Sequence, residues 1–252
     1  MLSVDGLRKY YDGIRAVDGV TFTIEAEAIT TLIGPNGAGK TTLFDLISGF
    51  ASPDSGSVAL EGTDVTHLPP HERAGLGMIR TFQQPRTITR LTVRENLAVA
   101  APDHPGERLA ALLIRGGASR RREAAVAERV DGYIELFGLE RVADDLAGTL
   151  SGGQRKLLEM ARALMAEPRL LLLDEPLAGV NPTLARRLEE LILRLRDEFG
   201  LTVLLIEHDL PAVMRISDRV IALDQGRVIA TGSPGDVRSH PAVIDAYLGS
   251  DR

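Results

Sequence analysis

A glycine-rich segment near the N-terminus has the composition and spacing of a loop that binds phosphate. It follows a short, largely β-branched run at residues 30–33 and consists of Gly34, Pro35, Asn36, Gly37, Ala38, Gly39, Lys40, Thr41 and Thr42. Glycines permit turns in which backbone N–H groups face a common centre, and the start of a following helix adds its positive end. Lys40 can reach the β- and γ-phosphates, and the Thr41 hydroxyl can ligate Mg²⁺. The segment therefore predicts a nucleotide-binding site built largely from the backbone.

Two neighbouring carboxylates follow a second apolar run. Asp174 and Glu175 come directly after four leucines at residues 170–173, as expected where a buried parallel strand ends. Open α/β sheets place their ligands at the carboxyl ends of strands. Asp174 could bind Mg²⁺ directly or through water, and Glu175 could polarise an attacking water as a general base. Two acids can also simply end a strand, but a phosphate loop in the same chain favours the catalytic interpretation.

A third segment, Leu150-Ser151-Gly152-Gly153-Gln154, precedes a helical stretch that runs to about Ala166. Its glycines expose backbone amides, and its serine hydroxyl lies at a helix start, so it could hold an anion without a lysine of its own. A flexible turn before a helix is the alternative interpretation. One chain with two phosphate-binding ends predicts a head-to-tail pair of chains, with each nucleotide held between the loop of one copy and residues 151–153 of the other.

The pattern of the remaining chain predicts an α/β protein with a helical insertion. Residues 16–24, 28–33 and 202–206 have the character of strands, and residues 40–47 that of a helix. Asn181 and Pro182 predict the cap and first position of another helix, and Ser233 with Pro234 predict the start of a final helix that ends near residue 248. From about 85 to 166 the sequence becomes rich in Ala, Leu, Arg and Glu. Within that stretch, residues 101–118 are the best candidate for a mobile loop.

Composition limits the kind of protein. The chain has 252 residues, 44% hydrophobic and 25% charged, with a net charge of −6 and no cysteine. The negative charge argues against a nucleic-acid-binding surface spread over the whole protein, and the lack of cysteine excludes disulfides and thiolate metal sites. No run approaches the roughly 20 apolar residues of a membrane-spanning helix. We therefore expect a chain on the cytoplasmic side whose membrane association comes through partners.

These motifs, in this order, resemble those of ATP-binding cassette (ABC) transporter ATPase subunits over essentially the whole chain. Gln83, at the end of Arg80-Thr81-Phe82-Gln83, matches the glutamine of the Q-loop. His208, within residues 206–209, matches the switch histidine. The resemblance implies that Gln83 contacts Mg²⁺ or water and reports the γ-phosphate, and that His208 donates a hydrogen bond to that phosphate. It also implies that Tyr11 stacks on adenine; the adjacent Tyr10 leaves open which ring does so.

The resemblance carries further expectations about fold and cofactors. It implies a single ABC ATP-binding domain over residues 1–252, of the α/β P-loop NTPase class. In it, a RecA-like core at 1–84 and 167–252 contains a mostly parallel central sheet, accompanied by an antiparallel β subdomain and an inserted α-helical subdomain at about 85–166. The implied cofactors are ATP and Mg²⁺, with Thr41, Gln83 and Asp174 around the metal and Glu175, His208 and Gln83 in catalysis. Asn181 stands at the D-loop position, where many members carry Asp.

Within that family the chain looks most like the ATPase subunits of branched-chain amino acid importers and of their urea or amide relatives. The similarity lies in residues 80–83, 175–182 and 240–249. It implies integral membrane permease partners, a second ATPase subunit that is identical or related, and a periplasmic or extracellular substrate-binding protein. It also implies a peripheral location on the cytoplasmic face of the inner membrane and no nucleic acid partner. Lipopolysaccharide exporter ATPases are an alternative, as are soluble ABC ATPases that act on ribosomes or DNA.

Overall fold

The computed structural model describes residues 1–81, 87–102 and 117–249, and it divides the chain into two compact units. One unit comprises Met1–Gln83 and Arg169–Arg252, and the other comprises Gln84–Pro168. The domain limits expected from the sequence stay a prediction.

A six-stranded sheet forms the centre of the first unit. Its strand order is β10-β9-β3-β8-β7-β6, and all neighbours are parallel except β9 and β10. The strands of the chain are β1 (Leu2–Tyr11), β2 (Ile14–Ile24), β3 (Ile29–Ile33), β4 (Ser55–Leu60), β5 (Thr63–Asp64), β6 (Met78–Arg80), β7 (Leu170–Asp174), β8 (Thr202–Ile206), β9 (Arg219–Asp224) and β10 (Arg227–Gly232). Every residue of β3 and β8 is buried, as expected for parallel strands covered on both faces.

An antiparallel sheet of four strands, in the order β2-β1-β4-β5, completes the β structure of this unit. Strand β1 was not among the segments predicted as strands, although polar and apolar residues alternate over the first residues of the chain. Leu2, Val4 and Leu7 of this strand are buried, because the alternation is that of a strand with one face on the core. Together with the parallel sheet and the helices, this sheet confirms the predicted fold class.

Helices surround these sheets and also build the second unit. They are α1 (Lys40–Ser48), α2 (Pro70–Gly75), α3 (Val93–Ala100), α4 (Gly117–Phe137), α5 (Gly152–Met165), α6 (Pro182–Phe199), α7 (Leu210–Ile216), α8 (Pro234–Arg238) and α9 (Pro241–Gly249). None of the described helices is long and apolar enough to cross a lipid bilayer. Helix α1 has four fully buried apolar residues, Leu43, Phe44, Leu46 and Ile47, in one core with residues of both sheets. Burial of that face fixes the helix that follows the glycine loop.

The C-terminal end of α1 is held by a buried arginine of α2. Arg73 is 1% exposed. Its guanidinium donates to the carbonyls of Leu46 and Thr66 at 2.8 Å each, to that of Ile47 at 2.5 Å and to that of Leu68 at 2.8 Å. The last carbonyls of a helix have no partner within the helix, and a cation there also complements the helix dipole. Arg73 therefore ties α1 to the segment that leads into α2.

Of two helices predicted from the sequence, one starts as expected and the other is divided into two. Asn181 caps α6 through a bond from the Leu184 N–H to its side chain at 2.9 Å, with Pro182 in the first turn, as predicted. The apolar face of α6 is buried through its middle, but Phe199 at its end is 55% exposed. The single helix expected after Ser233 is wrong, because α8 ends at Arg238 and α9 starts at Pro241. A proline lacks an N–H and disfavours helical geometry in the residue before it.

The second unit contains α3, α4 and α5, so its described part is helical. Thr92 and Glu95 form a capping box at the start of α3, in which the Thr92 hydroxyl accepts from the Glu95 N–H and the Glu95 carboxylate accepts from the Thr92 N–H. Asn96 is fully buried, and its amide donates to the carbonyls of Ile88, Leu91 and Thr92. Most of the expected mobile loop at 101–118 lies outside the described residues.

Candidate nucleotide-binding site

The glycine-rich loop connects β3 directly to α1. The first helical residue is Lys40, and the cap position is Gly39, which has no side chain to bond the free N–H groups of the first turn. No acidic residue lies in that turn. An unblocked helix start with its amides facing outward attracts an anion, so α1 offers the predicted phosphate site.

Two glycines of the loop are required by close backbone contacts. A Cβ atom on Gly34 would lie 2.2 Å from the Leu223 carbonyl oxygen, and one on Gly39 would lie 2.1 Å from the Ala16 carbonyl oxygen. Gly39 also has a φ of +95°, a region that favours glycine. The loop is thereby packed against β9 on one side and against β2 on the other. A rigid loop of this kind holds its N–H groups in place before any ligand binds.

Lys40 bends back over the loop. Its ammonium group donates to the carbonyls of Gly34 at 2.7 Å and Pro35 at 2.9 Å. Partial burial lowers the pKa of Lys40, while the nearby Glu175 carboxylate acts in the opposite direction. The cation is thus held at the mouth of the loop, where the phosphates of a nucleotide would meet it.

Asp174 ends β7, with its side chain 11% exposed. Its Oδ2 lies 3.0 Å from an Nη atom of Arg80, whose other Nη atom lies 2.6 Å from Asp45 of α1. Burial raises the pKa of Asp174, and the hydrogen bond and charge of Arg80 oppose that rise. Arg80 therefore compensates for the buried carboxylate and fixes its direction.

Glu175 and His208 meet across the ends of two adjacent strands. Asp174 pairs with Ile206 in the register of β7 and β8, and the Glu175 N–H donates to the Ile206 carbonyl at 3.1 Å. The Glu175 Oε1 atom lies 3.8 Å from Nδ1 of His208. Glu175 has a φ of +48°, which directs its side chain differently from that of Asp174. The structure thus brings the predicted base and the predicted switch histidine together.

The oxygen donors at this edge suit the predicted metal. Thr41 supplies an exposed hydroxyl in the first turn of α1, and Asp174 supplies a carboxylate. Mg²⁺ prefers oxygen ligands, and it is commonly held by one or two protein groups together with nucleotide phosphates and water. The donor set therefore fits Mg²⁺. Gln83, the third predicted metal contact, lies outside the described residues.

The two tyrosines at the end of β1 differ in their partners. The Tyr10 hydroxyl donates to Asp18 at 3.2 Å, and Arg227 also donates to Asp18, at 2.7 Å. Tyr11 is 46% exposed, and the Lys9 ammonium lies 5.4 Å from its ring centroid. The Asp18 N–H donates to Gly226, whose own N–H donates to Ala38 of the glycine loop. Tyr10 is therefore linked through Asp18 and Gly226 to the glycine loop, and the contact with Asp18 occupies its hydroxyl, while the Tyr11 ring is more exposed.

The Ser-Gly-Gly-Gln segment lies in the second unit, where it starts α5. The Ser151 hydroxyl accepts from the Gln154 N–H at 3.3 Å, and the Gln154 side chain accepts from the Ser151 N–H at 2.9 Å. This capping box occupies one donor of the helix start, while Gly152 and Gly153 add no side chain that would cover the others. Ser151 is exposed and Leu150 is buried, so the segment is anchored on one side and open on the other.

Two charged residues at this edge were not predicted from the sequence as parts of the site. Arg80 was named only as the first residue of the Gln83 motif, and Glu207 lay unnamed within the range 206–209 that contains His208. Arg80 ends β6, and Glu207 follows β8. A charged residue at such a position can face the ligand edge of a sheet, and this signal could have been read from the sequence. Their partners could not be read from the sequence, because Arg80 and Asp174 are far apart along the chain.

Known proteins are similar to this chain over nearly its whole length. A family model described as ABC transporter matches residues 17–178, and one described as branched-chain amino acid ATP-binding cassette transporter matches residues 227–252. The chain is 43% identical to the high-affinity branched-chain amino acid transport ATP-binding protein BraF of Pseudomonas aeruginosa. It is 41% identical to LivG of Escherichia coli, which carries the same description. Each alignment covers 99% of this chain and 98% of the relative.

Solved structures of ATP-binding cassettes are also similar to this chain. A nucleotide-free ATP-binding cassette from an ABC transporter matches with a TM-score of 0.83 and 36% identity, covering 98% of each chain. A cassette in its ADP conformation matches with a TM-score of 0.82 and 35% identity over 99% of this chain and 98% of the other. A dimeric cassette in a post-hydrolysis state, bound to ADP and Pi, matches with a TM-score of 0.76 and 26% identity over 93% of this chain and 99% of the other.

Proposed function

The chain belongs to the ABC transporter family of ATP-binding proteins, and from this premise we propose that it powers the import of branched-chain amino acids. Membership makes it an ATPase subunit. The branched-chain cargo is supported by the relatives that match over 99% of the chain and by the family model that matches residues 227–252. Urea or amide import and lipopolysaccharide export are the competing assignments.

The observation that carries the catalytic proposal is the contact between Glu175 and His208 beside the glycine loop. The amides of residues 34–39 and the Lys40 ammonium would hold the β- and γ-phosphates. Thr41 and Asp174 would hold Mg²⁺, which supplies charge neutralisation for the phosphates when bound. Glu175 would accept a proton from the attacking water, and His208 would donate a hydrogen bond to the γ-phosphate. Gln83 would contact the metal or the water, and Tyr11 would stack on adenine.

The working form would be a head-to-tail pair. Ser151, Gly152, Gly153 and Gln154 of one copy would contact the nucleotide held by the other, with Asn181 at the same interface. The open helix start at Gly152 supports this, because it can accept an anion but has no lysine of its own. A related cassette is dimeric with ADP and Pi bound. The second subunit would be an identical or a related ATPase.

Integral membrane permeases and a periplasmic or extracellular substrate-binding protein would complete the system. The chain would lie peripherally on the cytoplasmic face of the inner membrane. ATP binding would close the pair of ATPases, and hydrolysis would reopen it. The helical unit and Gln83 would pass that motion to the permeases.

The catalytic proposal is tested by Glu175→Gln, since an amide retains the shape of the side chain but cannot take the proton. We expect ATP affinity within about twofold of the parent, an ATP-dependent dimer in size-exclusion chromatography, and hydrolysis slowed by at least about 100-fold, the low end for loss of a general base. Glu190→Gln, an exposed change on α6, is the matched control. Undiminished hydrolysis by Glu175→Gln would refute the assignment.

The cargo is tested by transport. The chain is reconstituted in proteoliposomes with the permeases, the second ATPase and the substrate-binding protein of its system, and uptake of labelled leucine, urea and a short amide is compared. ATP-dependent leucine uptake that Glu175→Gln abolishes supports the proposal. Uptake of urea or amide alone would replace the proposed cargo and leave the ATPase assignment intact.

A further inference from the structure

Glu207 is a buried carboxylate that the mechanism above does not use. It follows β8 directly and is 1% exposed. Its backbone N–H donates to the Leu32 carbonyl of β3 at 3.3 Å. Its backbone is thereby fixed beside the strand that leads into the glycine loop, and its side chain is enclosed.

The two carboxylate oxygens of Glu207 bond to two different motifs. Oε1 accepts from the N–H of Leu177 at 2.9 Å, and Oε2 accepts from the N–H of His208 at 3.3 Å. Leu177 lies two residues after Glu175 and is itself buried. The Ala178 N–H donates to the Glu175 carbonyl at 3.1 Å, which closes a turn around Leu177. One side chain therefore connects the turn that follows Glu175 with the backbone of His208.

This connection is built from charge-assisted hydrogen bonds, of which the bond to Leu177 is buried and the bond to His208 is partly buried. Such bonds are stronger and more directional than those between neutral groups, and neighbouring N–H groups in a buried site need an acceptor. Burial raises the pKa of Glu207, while its bonds to the Leu177 and His208 amides oppose the rise. Without an acceptor at this place, both N–H groups would be left unpaired.

We propose that Glu207 is a positioning residue that holds the turn after Glu175 and the backbone of His208 in one arrangement, and so fixes the 3.8 Å approach of the two side chains. The inference rests on the proposed roles of Glu175 and His208 in ATP hydrolysis. The two side-chain hydrogen bonds of Glu207 go to Leu177 and His208 and not to the glycine loop. Its removal therefore affects the chemical step and leaves nucleotide binding by the single chain in place.

Glu207→Gln is the test, because the amide has the same size but only one acceptor oxygen. Its NH₂ group meets one of the two backbone N–H groups, so one connection is lost. We expect kcat to fall about 10-fold to 100-fold, since small misplacements of reacting groups have effects of this order. We expect the KM and the Kd of the single chain for a fluorescent ATP analogue to stay within twofold of the parent. The unpaired N–H group should lower the melting temperature by about 2–6 °C, so hydrolysis is measured well below it. Glu190→Gln serves as the control on the same unit.

A double-variant cycle separates positioning from a general structural role. Single-turnover hydrolysis, with enzyme in excess over ATP, makes the slow variants measurable. If Glu207 acts through His208, then Glu207→Gln slows a His208→Ala background by less than about twofold. If the double variant is slowed by the product of the factors measured for the two single variants, the proposal is overturned. A parent-like kcat for Glu207→Gln would overturn it as well. A rise in KM or in the Kd for the ATP analogue as large as the fall in kcat would also overturn it.

The two proposals fail in different ways. If the parent chain does not hydrolyse ATP, or if Glu175→Gln is as active as the parent, the proposed function fails. If the parent hydrolyses ATP, Glu175→Gln is slow and Glu207→Gln is parent-like, only the role of Glu207 fails.

Discussion

Replacing Arg73 by methionine is expected to lower the stability of the first unit more than any surface change. The side chain is almost fully buried, and it donates to four backbone carbonyls, two of them in the last turn of α1. Methionine retains the length and the apolar stem but offers no donor. The four carbonyls would then lack this partner in a region that excludes water.

The size of the effect follows from those four bonds. At about 1.5 kcal/mol for each bond from a charged donor, the lost bonds amount to about 6 kcal/mol. Removing the charge also relieves part of its desolvation penalty, for which we take about 2–3 kcal/mol. The net loss in the free energy of unfolding is then about 3–4 kcal/mol. For a unit of this size, each kcal/mol lowers the melting temperature by about 2–4 °C, so we expect a decrease of about 10 °C.

Thermal melting followed by circular dichroism measures this change. Arg73→Lys retains the charge but lacks the planar fork that reaches several carbonyls, and it should fall between the parent and Arg73→Met. Arg121→Met, on the exposed surface of α4, is the matched control and should melt within about 1 °C of the parent. If Arg73→Met also melts within about 2 °C of the parent, the guanidinium does not support α1 and the calculation is wrong.

Three further experiments test other residues of the protein. Ser151→Arg should leave ATP binding by the single chain intact but block the ATP-dependent dimer and hydrolysis. Size-exclusion chromatography measures the dimer, and phosphate release measures hydrolysis. Loss of ATP binding by the single chain would place the segment in an intramolecular site. Tyr11→Ala should weaken ATP affinity about tenfold, since stacking on a base contributes about 1–3 kcal/mol, whereas Tyr10→Ala should change it less than twofold; the reverse order would assign the stacking to Tyr10. The Arg227 hydrogen bond lowers the pKa of Asp18, so this carboxylate stabilises the fold above its usual pKa of about 3.9 and loses that effect as the pH falls through its folded value. The melting temperature of Asp18→Asn should therefore lie below that of the parent at pH 7 and approach it below about pH 4; an unchanged difference at pH 3 would contradict the assignment.

The sequence predicted those parts of the site that depend on local patterns. Asp174 and His208 could be placed together because both follow short apolar runs, and the carboxyl ends of parallel strands meet at one edge of a sheet. Asn181 and Ser151 could be recognised as helix caps from their own type and the residues that follow them. These inferences needed only the neighbours of each residue along the chain.

The residues that were missed depend on contacts between distant segments. Arg73 is an ordinary polar residue of a short helix in the sequence, and only the fold brings it to the carbonyls at the end of α1. Glu207 gave no separate signal because its partner Leu177 is thirty residues away. The break between α8 and α9 could have been read from Pro241, since the residue before a proline is disfavoured in a helix.

The backbone of Glu175 has a consequence for evolution and for engineering. A φ of +48° is unfavourable for a residue with a long side chain by about 1–3 kcal/mol, whereas glycine and asparagine adopt it more readily. Selection for heat resistance alone would therefore favour Glu175→Gly or Glu175→Asn, and it would enrich chains that melt later but no longer hydrolyse ATP. A glutamate that is retained at this position under such selection indicates that ATP hydrolysis was selected together with stability.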